Sequence, residues 1–169
     1  QGWMGNFVQQ PQYWASPDHG RFPLGWGMAV GCLAQACPEA WRYAVETQRP
    51  GTSLIQHNVG YFYPDLLGTA LAPAQREEIL TRQARRIGRY LRQTGVRVCL
   101  FICMDLDSPA ARQAYEIYAR EMDALAGMMA VQYAPYEAGD GRVYWVKNRA
   151  GVEIPVVTAK YRLWANLRQ

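Results

Sequence analysis

Asp105 and Asp107 stand two residues apart, directly after the most apolar stretch of the sequence. Two carboxyl groups flanking one bond are what most glycoside hydrolysis requires. One protonates the leaving oxygen and the other serves as base or nucleophile. Glu137, in a glycine-containing loop, offers a third carboxylate. His57 and Asn58 supply an imidazole and an amide suited to binding hydroxyl groups. They open the segment Gly60-Tyr61-Phe62-Tyr63-Pro64-Asp65, in which Asp65 is one more hydrogen-bonding group. Trp26, Tyr61, Tyr63, Tyr136 and Trp145 each present a flat apolar face with a polar handle, the combination that stacks on sugar rings. Phe62 and Trp41 read as packing residues. A plainer reading of the aspartates stays open, in which Asp107 caps a helix and Asp105 hydrogen-bonds a loop.

These residues need elements to position them, and the pattern of the chain supplies a set. Pro23–Trp26 and Thr52–Gln56 are short strand candidates, and Val96–Met104 is a nearly continuous β-prone run. A run of that kind marks a strand buried on both faces of a parallel sheet. Met128–Tyr133, Val143–Val146 and Ile154–Tyr161 complete the predicted strands. Pro38 opens a helix to about Gln48 with Trp41, Ala44 and Val45 inward. Pro73 opens a second, whose Leu80, Ala84, Ile87 and Leu91 recur at i, i+4, i+7 and i+11 and which Gly95 ends. Ser108 and Pro109 are the N-cap and first residue of a third, running toward Gly127.

Strands alternating with helices predict an α/β fold with right-handed βα units and a mainly parallel sheet. The units are too few for a closed eight-stranded barrel. The expectation is therefore an open sheet or part of a distorted (β/α) TIM-like barrel, in one domain covering residues 1–169. Functional groups in such folds gather at the carboxyl ends of the strands. His57-Asn58, Asp105/Asp107 and Tyr136-Glu137 all follow predicted strands, whereas the opposite ends carry turn residues such as Arg49-Pro50-Gly51. One site on one sheet edge is the prediction.

Composition narrows the classes. The 169 residues are 50% apolar and 19% charged, which a packed domain needs and a disordered chain lacks. No apolar stretch approaches the ~20 residues of a membrane span. Four cysteines without a C-x-x-C pair and two histidines give no zinc-ligand pattern, so no metal and no cofactor is expected. The formal charge of +4 concentrates between Arg76 and Arg92. Those arginines lie mainly off the apolar stripe and read as a solvated face rather than a nucleic-acid site. No phosphate-binding glycine motif is present.

The heptad Asn58-Val59-Gly60-Tyr61-Phe62-Tyr63-Pro64 resembles the signature of the GxGYxYP glycoside hydrolase-like family, with Asn58 in place of the first glycine. Met4-Gly5-Asn6-Phe7, Phe22-Pro23-Leu24-Gly25-Trp26-Gly27 and Ile154-Pro155-Val156-Val157-Thr158-Ala159-Lys160-Tyr161 resemble its flanking segments. The resemblance implies a C-terminal, catalytic-type domain of a longer, secreted or periplasmic protein, with a distorted barrel that acts on glycans. The expected activity is hydrolysis by Asp105 or Asp107 with Glu137. Trp26, His57, Asn58, Tyr61, Tyr63, Asp65 and Tyr136 would hold an oligosaccharide or polysaccharide. The alternative is a non-catalytic carbohydrate-binding domain using the same face.

Overall fold

The computed structural model describes residues 14–57, 62–133 and 139–160. Its elements are β1 (Leu24–Met28), α1 (Val30–Ala36), α2 (Pro38–Glu46), β2 (Thr52–His57), α3 (Pro73–Thr94), β3 (Val98–Cys103), α4 (Pro109–Glu121), β4 (Gly127–Gln132), β5 (Val143–Lys147) and β6 (Glu153–Thr158). They form one six-stranded sheet in the order β1-β2-β3-β4-β6-β5. All neighbours pair in parallel except β5 with β6. This is the expected α/β fold, with an open sheet among the described residues.

Strand order advances in one direction from β1 to β4, so right-handed crossovers carry the helices to the same face. Burial follows. Cys99, Phe101 and Cys103 of β3, Met128 and Ala130 of β4 and Val156 of β6 are buried in a core with Leu80, Ala84, Ile87 and Leu91 of α3. The α3 stripe read from the sequence is thus the surface it packs against the sheet. The alternate residues Leu100, Ile102, Met129 and Val131 are half-buried, and Val157 is exposed. This corrects the expectation that the β3 run is buried on both faces. A continuous apolar run fits such burial, but here only the helix-side positions are sealed.

Local chemistry explains the boundaries. An added Cβ at Gly25 would lie 2.4 Å from Ile55 Cδ1, so β1 and β2 approach as they do only with glycine there. Gly95 closes α3 in the left-handed conformation at φ 71°, donating its N–H to Leu91 O. Ser108 caps α4 by accepting the Ala111 N–H, and Pro109 follows it. Two expectations change. The short helix α1 adds to the predicted elements, because seven residues with a glycine at the second position show too little period to mark a helix. In α2, Ala44 is buried and Trp41 half-buried, but Val45 is exposed.

Candidate functional site

The carboxyl edge of the sheet collects side chains from several strand ends. His57 is the last residue of β2 and is half-buried; burial lowers its pKa and favours the neutral imidazole. Tyr63 and Asp65, further along the chain, lie at the ends of β4 and β3. There the Tyr63 ring meets the Tyr133 ring edge-on, with centroids 5.5 Å apart. Two residues later, Asp65 enters the protein and is 2% exposed.

The Asp65 carboxylate fixes the loop after β3. Its Oδ2 accepts the backbone N–H groups of Met104 at 2.8 Å and Asp105 at 3.0 Å. Behind it lies Arg76, only 5% exposed. The Arg76 guanidinium donates to Pro64 O at 3.2 Å, to Ala110 O at 3.0 Å and to the Gln113 side chain. It thereby ties the post-β2 segment to the start of α4. Asp65 Oδ1 and Arg76 Nε are both buried without a hydrogen-bond partner among the described residues. Asp65 was expected to bind substrate. The structure places its carboxylate beneath the loop, where it accepts two backbone N–H groups. Arg76 is corrected from the solvated face, while Arg82, Arg85, Arg86, Arg89 and Arg92 are exposed as expected.

Asp105 itself is exposed on that loop. Its Oδ1 accepts the Asp107 N–H at 2.9 Å, and its carbonyl accepts the Ser108 hydroxyl at 3.0 Å. Asp107 does not cap α4, because Ser108 does; this corrects the plainer reading of that residue. Its carboxylate instead takes hydrogen bonds from the Tyr144 hydroxyl, from Arg142 at 2.6 Å and from Arg112 at 3.0 Å. The Arg112 guanidinium also stacks on the Tyr144 ring, 3.4 Å from its centroid. The Tyr144 hydrogen bond, with the two arginines, outweighs the desolvation penalty and holds Asp107 below the usual carboxylate range. A carboxylate so held stays ionised near neutral pH and is unsuited to donate a proton.

Trp26 belongs to a different group. Its ring packs 5.3 Å from both Trp14 and His19, whose Nδ1 bonds Trp14 O. Beside Trp14 and His19 a cavity of about 370 Å³ opens toward Gln48 and Arg49, before the amino end of β2. Asn58, Tyr61, Tyr136 and Glu137 lie outside the described residues.

The sequence reading missed Arg76, Arg112, Tyr133, Arg142 and Tyr144. For Arg76 a signal existed, because it stands four residues before Leu80 on the buried stripe. Cys99 and Cys103 are buried thiols, and burial pushes Cys103 up to about 12. Among the described residues no three His, Cys, Asp or Glu side chains converge as metal ligands. No described helix is long and apolar enough to cross a membrane.

One family model matches the chain over residues 1–169, that of the GxGYxYP putative glycoside hydrolase C-terminal domain. No curated protein and no solved structure matches it.

Proposed function

Because the chain belongs to the GxGYxYP family, we propose that it hydrolyses a glycosidic bond of an oligosaccharide or polysaccharide at the carboxyl edge of its sheet. One observation carries this reading. His57 and Tyr63 follow β2, Asp105 and Asp107 follow β3, and these two strands end on the edge where parallel α/β folds keep their sites. In this reading Asp105 and Glu137 form the acid/base pair. Asp105 suits the role because it is exposed to a substrate while its backbone is fixed by Asp65. Asp107, held ionised by Arg112, Arg142 and Tyr144, supplies a fixed negative charge instead of a proton. His57, Asn58, Tyr61, Tyr63 and Tyr136 bind hydroxyl groups and stack on sugar rings. Asp65 acts through the loop it holds.

The test is the appearance of new reducing ends when the protein is incubated with a panel of polysaccharides. Release that is proportional to protein concentration supports hydrolysis. Saturable glycan binding without any release supports the carbohydrate-binding alternative and contradicts the hydrolase.

A further inference from the structure

The arginines of α3 divide into two sets once their partners are traced. Arg76 is buried beneath the site loop. Arg85 pairs with Glu121 at 2.8 Å, and Arg92 pairs with Asp123 at 2.7 Å, both carboxylates lying at the end of α4 or just beyond it. Glu121 is gripped further by Arg149, whose Nη2 is 2.7 Å from each carboxylate oxygen, and by Arg120 at 3.1 Å. Arg82, Arg86 and Arg89 are exposed and have no hydrogen bond or ion pair among the described residues. Glu78, one turn before Arg82, makes no ion pair with it.

The three residues fall within an arc of roughly 60° on the helix and span about 10 Å along it. They form one basic stripe. Arg82 and Arg86, four apart, repel each other, as do Arg86 and Arg89, three apart. With six arginines against two glutamates, α3 carries an excess of +4, equal to that of the whole chain. The nearby carboxylates Glu121 and Asp123 are already engaged by Arg85, Arg92, Arg120 and Arg149. Three unneutralised guanidinium forks therefore face outward in a row.

We propose that the Arg82/Arg86/Arg89 stripe docks the carboxylates of a polyuronate, an acidic polysaccharide held along α3 while a distant part of the chain reaches the sheet edge. The inference rests on the glycan-hydrolase reading and deepens it by naming the substrate class. Arginine matches a carboxylate bidentately, and on the same layer one nitrogen of Arg149 reaches both carboxylate oxygens of Glu121. A nucleic acid fits less well. Tyr90, the aromatic residue of α3, is buried, so the stripe offers no ring for bases to stack on. A lipid surface fits less well for want of exposed apolar side chains between Arg82 and Arg92.

The experiment is titration of the protein with polygalacturonate across a salt series. The expected result is binding that weakens as salt rises. It should fall by at least about tenfold in the Arg82→Gln/Arg86→Gln/Arg89→Gln variant. The melting temperature of that variant should not drop, because self-repulsion is relieved. The corresponding triple lysine variant keeps the charge but loses the forks, so it should bind between the wild type and the glutamine variant, and it guards against a glutamine variant that misfolds. No binding by the wild type, or equal binding by the glutamine variant, overturns the proposal. So does tighter binding to single-stranded DNA, to heparin or to anionic phospholipid vesicles than to polygalacturonate. Hydrolysis of neutral glycans without polyuronate binding defeats this proposal alone. Polyuronate binding without hydrolysis of any glycan defeats the hydrolase reading and leaves the stripe standing.

Discussion

The side chain of Asp65 accepts the backbone N–H of Asp105 at 3.0 Å, across forty residues of sequence. It holds Met104 in the same way at 2.8 Å. One buried carboxylate thus fixes the backbone of an exposed one, and the segment after β2 sets the loop after β3. In a site built on loops, such a support decides whether the reacting group sits in a defined place.

Asp65→Ala removes the acceptor for two partly buried amides. Hydrogen bonds to a charged group contribute about 1.5–3 kcal/mol each, with incomplete additivity. The expected loss is about 2–3 kcal/mol, read as a lower urea midpoint at unchanged slope. Amide hydrogen exchange at Met104 and Asp105 should accelerate more than exchange in β4. Asp65→Asn keeps one carbonyl acceptor and should lose less on both measures.

Arg76→Met keeps length and apolar contact but removes the hydrogen bonds to Pro64, Ala110 and Gln113. It also leaves Asp65 buried without its neighbouring cation. Hydrogen bonds from a charged group contribute about 1.5–3 kcal/mol each, with incomplete additivity. Equilibrium unfolding should show a loss of that order, whereas Arg86→Met should change stability little.

The reach of sequence reasoning is clearest on α3. The spacing of Leu80, Ala84, Ile87 and Leu91 located its buried stripe because helical period is a local property. Gly95, Ser108 and Pro109 marked boundaries for the same reason. Arg76 lies on that stripe too, yet its charge argued for solvent. What draws it inward is the set Pro64, Asp65, Ala110 and Gln113, which only the folded chain assembles. Likewise the position of Asp107 was legible, but its link to Arg142 and Tyr144 depends on β5 turning back beside β6. The half-covered face of β3 was hidden because an uninterrupted apolar run does not say how many faces are sealed.

Acid stability should depend on Glu121. Burial by itself would raise its pKa, but the hydrogen bonds from Arg149, Arg85 and Arg120 prevail and hold it at about 2, below its ordinary 4.5. A folded-state pKa below the unfolded one gives stability that is present above pH 4.5 and lost as pH falls through about 2. Thermal melts of the wild type should decline across that window. Glu121→Gln should be less stable near neutral pH and show a shallower decline there; parallel curves would contradict the assignment.

The central claim is that Asp105 carries the chemistry at the sheet edge. The most direct measurement compares Asp105→Asn with the wild type in both turnover and affinity on one hydrolysed glycan. Loss of a positioned acid or base lowers a rate by about 10²–10⁴-fold. Asp105→Asn should lose turnover in that range while its dissociation constant for the glycan and its melting temperature stay close to wild type. Undiminished turnover in Asp105→Asn contradicts that claim.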